Sequence, residues 1–367
     1  MAHVTTVARR RSVRNHAIVS GATVRSATLP KKTGSRTKRF LTHWVGLSAR
    51  KNGVADRILV DAIRYSGLTP MPEPDAPLRL ETCVCPLCGE APPPRAREAF
   101  PPYRIVDCPR CTLCYLSPRV AREDLPHLYG ARYWEGGGPH GGYASYAGME
   151  ALLSRTFTRR LRLLSKPLQG SRLLDVGCGP GAGLDAARGA GWDAFGLDLS
   201  NPAVALARER HGDRVRLGTV EERLFSDGFF DAITLFDLIE HVYEPRRFVE
   251  ALAAQLRPGG RLLVATPNCH SLLARTTGRR WVSYKIPEHV IYFSPRTLAD
   301  ALAPQFSIEH VRPCGQYVSL PFLLERLSEG VPFGEALFKR LAAVRGLADM
   351  SLYANSGSML VLASRTG

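Results

Sequence analysis

The sequence predicts a doubly wound α/β domain with a mostly parallel, seven-stranded sheet, preceded by a small cysteine-rich module. Strand and helix patterns alternate after residue 166, which indicates βαβ units and a parallel sheet. Within that region, a short apolar strand at 173–176 runs directly into a glycine-rich turn that opens a helix. Six of the nine cysteines lie apart from it, within 83–114. The two patterns therefore predict two structural units.

The composition is that of a globular protein. A chain of 367 residues suits two domains and a tail, and a hydrophobic content of 45% is enough for a sizeable core. No apolar run reaches the roughly 18 residues of a membrane-spanning helix. The basic start is not followed by the apolar stretch of a signal peptide. We therefore expect no membrane span and a cytoplasmic location.

The positive charge is concentrated at the start of the chain. The net charge is +16, yet residues 1–55 hold 12 Lys or Arg and no Asp or Glu, leaving 37 basic and 33 acidic residues elsewhere. We predict that 1–70 is a basic, disordered leader. Such a leader could also bind nucleic acid through non-specific phosphate contacts. The nearly balanced body disfavours an extended phosphate-binding face, so we expect no other nucleic-acid contact.

Before residue 166, the pattern predicts a linker, the cysteine module and a helical connector. Four prolines between 70 and 77 mark the linker. The module is assigned to 80–118 and the connector to 119–165, with helices at 121–133 and 149–165. A glycine-rich loop, which we expect to be mobile, separates these two helices.

The α/β domain is assigned to 166–367. The predicted strands lie near 172–176, 193–198, 214–217, 230–235, 260–266, 306–313 and 358–364. The predicted helices lie near 181–190, 201–211, 245–256 and 295–303 and within 321–350. This order is typical of a sheet with helices on both faces.

The cysteine spacing indicates a zinc site. Cys85 and Cys88 form one C-x2-C pair, Cys108 and Cys111 form another, and 19 residues separate them, as in tetrahedral zinc sites. Four thiolates would leave no open coordination position, so the zinc should be structural. Cys111 and Cys114 form a rival pair, and Cys83 is a further alternative, so the spacing leaves the choice of ligands open.

The glycine turn indicates a nucleotide-like ligand. Gly177, Gly179 and Gly181 follow the first strand, and Asp198 ends the next, where a carboxylate suits paired ribose hydroxyls. The glycines run G-x-G-x-G rather than G-x-G-x-x-G, which disfavours a nicotinamide-dependent oxidoreductase.

Six blocks together resemble class I S-adenosylmethionine-dependent methyltransferases, in the ubiquinone-type and small-metabolite branch. The blocks are LLDVGCGPG at 173–181, GLDLS at 196–200, GTVEE at 218–222, FDAITLFDLIEHV at 230–242, LRPGGRLLVATPN at 256–268 and PEHVIYFSP at 287–295. The resemblance covers roughly 80–367 and implies a Rossmann-like methyltransferase fold. An amino-terminal zinc-ribbon-like module is also common in related methyltransferases.

The resemblance also implies residue roles. Asp175 should hold the turn, and Asp198 should bind the ribose of S-adenosylmethionine. The other residues implied to border the cofactor are Gly177, Gly179, Gly181, Leu199, Thr219, Val220, Phe236 and Tyr143. Tyr143 is implied to close over the cofactor from the connector, and Phe236 to face the methyl group.

The acceptor side is marked by two histidines that each follow a glutamate. Asp237, Glu240 and His241 have the spacing of one helical side, and His241 could take a proton from an acceptor hydroxyl. The same trio could instead hold magnesium. His289 is a second candidate base, and it follows a segment, Arg279 to Pro287, that we expect to fold over the crevice as a lid. A structural role remains the alternative for both histidines.

The prediction is therefore a methyltransferase acting on a small molecule, at a hydroxyl oxygen of a sugar, quinone-like compound or secondary metabolite. Methylation of carbon or nitrogen is the alternative, and nucleic-acid binding through the leader and zinc module is a further one. Arg279, Arg280 and Trp281 could bind an anionic or sugar-bearing acceptor, or form ordinary lid surface.

Overall fold

A computed structural model describes residues 78–128, 144–320, 323 and 350–366. Within these residues the predicted α/β fold is confirmed, with a seven-stranded, mostly parallel sheet and a separate cysteine-rich sheet. The leader assigned to 1–70 and Tyr143 lie outside the described residues, and so does the region 321–350 in which helices are predicted, apart from residues 323 and 350. In the described part of the chain, no helix has the length and apolar character needed to cross a membrane.

The parallel part of the main sheet has the order β8-β7-β6-β9-β10. Its strands are β6 (Arg172–Val176), β7 (Asp193–Asp198), β8 (Val215–Leu217), β9 (Phe230–Phe236) and β10 (Leu256–Pro267). Because the strands are parallel, the carboxyl ends of β6, β7 and β9 meet at one edge, where ligands bind in open α/β sheets.

Helices cover the strands. The helices are α1 (Leu125–Leu128), α2 (Ala144–Leu161), α3 (Ala182–Gly189), α4 (Asn201–His211), α5 (Pro245–Gln255), α6 (Leu272–Thr277) and α7 (Pro295–Leu302). Among these, α4, α6 and α7 each follow a serine that caps the helix. Ser200 caps α4 by accepting the amide of Ala203 at 3.4 Å, and Ser294 caps α7 by accepting the amide of Thr297 at 3.2 Å. Predicted helix 121–133 is a 3-10 turn followed by α1 within the described residues.

Two long antiparallel strands complete the main sheet. β13 (Ser351–Arg365) lies between β10 and β12 (Phe306–Ser319). Both are longer than the predicted strands because β12 and β13 continue as a paired ribbon, in which Gln316 opposes Ala354. Their outer residues pair with each other rather than filling a core, so hydrophobic alternation does not mark them.

The cysteine-rich region forms two small sheets. β1 (Leu80–Glu81) pairs with β5 (Arg119–Val120). The other sheet has the order β11-β4-β3-β2 and contains β2 (Glu98–Phe100), β3 (Tyr103–Asp107), β4 (Cys114–Leu116) and β11 (Ile291–Tyr292). Its fourth strand therefore comes from the α/β domain.

The main sheet buries a different core on each face. Alternate residues Leu174 and Val176 of β6 pack in the first core, with α5, α7 and the cysteine module. Leu173, which points to the opposite face, packs in the second core with α2, α3 and α4. Helices on both faces explain why successive residues of β6 and β9 are buried.

Gly315 tests the close pairing of β12 and β13. A Cβ at this position would lie 2.0 Å from the backbone oxygen of Ala354, so backbone would have to move. We expect Gly315→Ala to lower the free energy of unfolding by about 1–3 kcal/mol, the usual cost of overpacking. Urea unfolding measures this change.

The matched control is Gly189→Ala, because a Cβ on this exposed helical glycine would meet nothing within 4 Å. It should gain up to about 1 kcal/mol from helix propensity. Equal stability of the Gly315→Ala variant and the wild type would contradict the described pairing.

Candidate active site

The turn between β6 and α3 is left-handed at three glycines. Gly177, Gly179 and Gly181 have φ angles of 74°, 52° and 100°, in the region that glycine adopts most easily. A Cβ on Gly177 would lie 3.0 Å from Leu238, and one on Gly181 would lie 3.0 Å from the His211 ring. Glycine is therefore required here, and the backbone at the end of β6 stays open to a ligand.

Asp175 lies directly beneath this turn and is 4% exposed. Its Oδ1 accepts a hydrogen bond from Thr234 at 2.6 Å. A Cβ on Gly183 would lie 2.2 Å from Oδ2, so the first turn of α3 packs against the carboxyl group. Burial, assisted by the nearby charge of Asp198, raises the pKa of Asp175 to about 7.

Asp198 ends β7 and faces the glycine turn. Its Oδ2 accepts the amide of Gly179 at 2.9 Å and its Oδ1 accepts the amide of Ser200 at 2.8 Å. Burial raises the pKa of this carboxyl group above its ordinary value. Each carboxylate oxygen can accept more than one hydrogen bond, so the group suits the two hydroxyls of a ribose. The residues present therefore fit the nucleoside part of S-adenosylmethionine.

The loop after β8 is tied to the same strand end. The amide of Gly218 donates to the backbone oxygen of Asp198 at 3.0 Å, and Thr219 and Glu222 form a capping box. Leu199 is 62% exposed beside Asp198, whereas the Val220 side chain is buried in the first core. Of these predicted residues, Leu199 has a side chain available to a ligand and Val220 does not.

The end of β9 carries an ion pair that the sequence analysis does not predict. Arg160 of α2 is 3% exposed and its Nη1 lies 2.7 Å from Oδ2 of Asp237, which is 44% exposed. Its guanidinium lies 5.3 Å from the ring of Phe236, and Phe157 stacks on that ring at 5.1 Å. No local pattern reveals this pair, because its members are 77 residues apart.

Glu240, His241 and His289 form a cluster beyond the end of β9. Their ligand atoms lie within 4.8 Å of one another, and the two imidazole rings meet edge to face with centroids 4.7 Å apart. Glu240 is 1% exposed and accepts a hydrogen bond from Thr266 at 2.8 Å. Oε1 of Glu240 lies 4.0 Å from Nε2 of His289.

The surroundings set the protonation of this cluster. Nδ1 of His241 lies 2.9 Å from the backbone oxygen of Glu288, and Nδ1 of His289 lies 2.9 Å from that of Ser283. A ring nitrogen facing a carbonyl oxygen must donate, so the proton-accepting nitrogen of each neutral ring is Nε2. Burial lowers the pKa of His241 to about 4 and raises that of Glu240 to about 8. At pH 7, His241 is a neutral acceptor and Glu240 a neutral acid.

The structure brings together a different trio from the one predicted. Beyond the end of β9, the residues that could hold a metal together are Glu240, His241 and His289, while Asp237 pairs with Arg160. The cause is local, since Asp237 has φ of 53° and the helical turn begins only at Ile239, as a 3-10 turn. One carboxylate and two imidazoles are not the oxygen donors that magnesium prefers.

The lid segment is anchored rather than open. Trp281 is buried and its Nε1 donates to the backbone oxygen of Ser356 at 3.0 Å, so it packs as part of the fold. Arg279 is exposed and lies 5.0 Å above the ring of Phe100. Arg280 is also exposed. Only the two arginines of the predicted acceptor-binding group thus face outward.

The four predicted cysteines come together in space. The Sγ atoms of Cys85, Cys88, Cys108 and Cys111 lie within 4.8 Å of one another. Cys114, the rival ligand, is outside this group and is buried beside Cys269. Four sulfur donors at this separation match the tetrahedral coordination of zinc.

The two cysteine pairs have the same turn geometry. The amide of Gly89 donates to the backbone oxygen of Cys85 at 2.9 Å, and the amide of Thr112 donates to that of Cys108 at 3.0 Å. Gly89 and Thr112 both have positive φ, 75° and 65°. Each pair is therefore a tight knuckle that turns its two sulfurs to one point.

The raised pKa of Asp175 predicts a pH dependence of stability. The folded state binds the proton of this group more tightly than the unfolded state. The resulting stabilisation is complete below about pH 4 and is lost as the pH rises through about 7. In Asp175→Asn, which keeps an acceptor for Thr234, the free energy of unfolding should fall less over this range.

Urea unfolding at a series of pH values measures the difference between the two proteins. Asp227→Asn is the control, because the Asp227 side chain is 65% exposed. Identical pH profiles for wild type and Asp175→Asn would show that Asp175 titrates normally.

Comparison with known proteins agrees with this geometry. A family model described as a methyltransferase domain matches residues 149–305. A ubiquinone biosynthesis O-methyltransferase of Methylocella silvestris is 30% identical over 205 residues, covering 50% of this chain and 78% of that protein. The same-named protein of Bordetella avium is 36% identical over 161 residues, covering 40% of this chain and 65% of that protein.

Coverage differs among these relatives. The chain spans 65%, 48%, 62% and 61% of the length of four of them, including the Bordetella avium protein. A solved S-adenosylmethionine-dependent methyltransferase of Thermotoga maritima is 17% identical, with a TM-score of 0.43, and the match covers 66% of this chain and all of that one. That structural likeness is weak. The Methylocella silvestris protein is matched over more than two thirds of its length, and on this ground the chain belongs to the class I S-adenosylmethionine-dependent methyltransferase family.

Proposed function

We propose that this protein transfers a methyl group from S-adenosylmethionine to a hydroxyl oxygen of a small-molecule acceptor. One observation carries the proposal. The glycine turn and Asp198, which suit the cofactor, lie at the same sheet edge as β9, whose end leads into the Glu240–His241 turn. A donor and an acceptor bound there would be held side by side.

The residues at the glycine turn and at Asp198, which form the cofactor half of the site, bind S-adenosylmethionine and orient it. S-adenosylmethionine, when bound, supplies a methyl group already activated on a sulfonium. Asp198 would hold the ribose, and the bare backbone of Gly177 and Gly179 would lie against the methionine part. Phe236 would present an aromatic face near the methyl group, with its ring supported by Phe157. These residues fix the position of the donor and exclude water from it.

The acceptor half must accept a proton. Nε2 of neutral His241 is proposed to take it from the acceptor hydroxyl as the oxygen attacks the methyl carbon. Glu240, held protonated by burial, would add a hydrogen-bond donor beside the two imidazoles. The relatives are named ubiquinone biosynthesis O-methyltransferases, which supports oxygen as the methylated atom.

The domain organisation proposed for this activity has three parts after the leader. Residues 80–118 form a zinc-ribbon-like module, 119–165 connect it to the catalytic domain, and 166–367 form that domain. The convergence of four cysteine sulfurs supports structural zinc in the module. Magnesium at Asp237 has no such support, because Asp237 is paired with Arg160.

Asp198 tests the cofactor assignment. Removing its carboxylate should weaken S-adenosylmethionine binding by about 1.5–3 kcal/mol, the contribution of hydrogen bonds to a charged group. Titration calorimetry on Asp198→Ala and wild type measures this. Asp193→Ala is the matched control, since Asp193 begins the same strand and pairs with Arg214 at the surface. An affinity equal to wild type in Asp198→Ala would remove this residue from the site.

His241 tests the chemical step. With an acceptor identified from a library of hydroxylated metabolites, His241→Ala should keep cofactor affinity and lose about 10²–10⁴-fold in turnover, the usual contribution of a positioned base. Because the pKa of His241 is about 4, the acid limb of wild-type turnover should lie near pH 4 rather than near 6.5. Steady-state rates from pH 4 to 9 measure this.

Two further arms interpret the result. His270→Ala, at an exposed histidine, should retain wild-type turnover. If a chelator abolishes turnover and magnesium restores it, a bound metal ion rather than a His241 base supports the reaction. Full turnover by His241→Ala would leave His289 as the next candidate, and methylated carbon or nitrogen in the product would correct the atom proposed.

A further inference from the structure

The strand that follows His289 belongs to the cysteine module's sheet. Ile291 of β11 opposes Tyr115 of β4, and Tyr292 opposes Cys114. The amide of Leu116 donates to the backbone oxygen of Val290 at 2.9 Å. A strand of two residues cannot hold itself in place, so β11 depends on β4 for its position.

The segment that leads into β11 also contacts the cluster of Glu240, His241 and His289. The amide of Val290 donates to the backbone oxygen of Glu240 at 3.0 Å, and Nδ1 of His241 lies 2.9 Å from the backbone oxygen of Glu288. Val290 therefore accepts from the cysteine module and donates to the Glu240 turn. A displacement of β4 would pass directly to Glu240, His241 and His289.

The module is packed into the domain on this side. Cys85, Leu87 and Tyr115 belong to the first core, together with Val290 and Ile291. Other contacts join the module to α5 and the turn before it. Nε of Arg246 donates to the backbone oxygen of Leu87, within the first knuckle, at 2.9 Å. The hydroxyl of Tyr243 donates at 2.7 Å to the backbone oxygen of Val120 in β5, the strand that directly follows the module.

The cofactor half is built differently. The second core joins α2, α3 and α4 to the opposite face of the sheet, and it includes Cys178 of the glycine turn and Phe236. Among the described residues of that core, none comes from the cysteine module. The glycine turn and the helix it opens therefore have a support that does not pass through β4.

We propose that the cysteine module, closed by its four-thiolate zinc site, is the scaffold that positions the acceptor half of the active site. Leu116 and Tyr115 act as positioning residues for the 288–292 segment. The module's strands have two to five residues each, and so small a unit needs a metal to hold its shape. Zinc loss should loosen 288–292 and leave the cofactor half ordered. The reference to an acceptor rests on the proposed function.

The experiment compares three states of the full chain. They are the wild type as purified, the wild type after zinc withdrawal by a chelator, and the Cys88→Ser/Cys111→Ser double variant. Elemental analysis measures zinc, amide hydrogen exchange by mass spectrometry measures order at 288–293 and 173–181, and calorimetry measures affinity for S-adenosylhomocysteine. Cys83→Ser is the matched control, since Cys83 lies in the module, outside the four-sulfur group, and serine can still donate to the backbone oxygen of Leu116.

The wild type should contain about one zinc per chain. Both zinc-free states should exchange at 288–293 at least about tenfold faster, as expected for local opening. Exchange at 173–181 and S-adenosylhomocysteine affinity should stay as in the wild type. Adding zinc back to the chelated protein should restore slow exchange at 288–293, and Cys83→Ser should match the wild type throughout.

Three outcomes would overturn the proposal. They are a wild type without zinc, unchanged exchange at 288–293 in both zinc-free states, or an equal loss of order at 173–181 together with cofactor affinity. The third outcome would mean that the module stabilises the whole fold rather than the acceptor half alone. Failure of the wild type to bind S-adenosylhomocysteine would instead contradict the methyltransferase proposal, while the exchange comparison would still decide the role of the module.

Discussion

The parallel pairing of β6 with β7 and β9 is the constraint on which the site depends. Parallel strands end at a common edge, so the glycine turn, Asp198 and Phe236 lie close together although Gly177 and Phe236 are 59 positions apart in the chain. The pairing survives because both faces of the sheet are covered, by α5 and α7 on one side and by α2, α3 and α4 on the other. These groups all lie at the edge of the sheet that the helices leave uncovered.

Burial then decides the charge of the groups at that edge. Asp175 and Glu240 are carboxyl groups with little access to water. Burial raises the pKa of Asp175 to about 7 and that of Glu240 to about 8. The same effect keeps His241 neutral. Asp237 differs because Arg160, almost completely buried, pairs with its carboxylate. Asp175 is thus a hydrogen-bonded support for the turn, Glu240 is a neutral donor, and Asp237 is the partner in an ion pair.

The cysteine module shares a sheet with the α/β domain. In the chain it precedes the catalytic domain, but in space its sheet accepts β11 from that domain as the fourth strand. Short strands contribute little stability by themselves, so a shared sheet and a shared core make the two regions depend on each other. This arrangement links a structural site to residues more than 170 positions later in the chain.

By itself, the sequence determined the alternating strands and helices, the glycine turn with Asp198, and the two C-x2-C knuckles. These features depend on residues close together in the chain, through hydrophobic period, backbone freedom at glycine and ligand spacing. Only the tertiary structure decided that Asp237 pairs with Arg160, that His289 rather than Asp237 joins Glu240 and His241, and that β11 completes the cysteine sheet. Those contacts join residues 48 to 178 positions apart, and they form because strand pairing and burial bring distant side chains together, which no local pattern records.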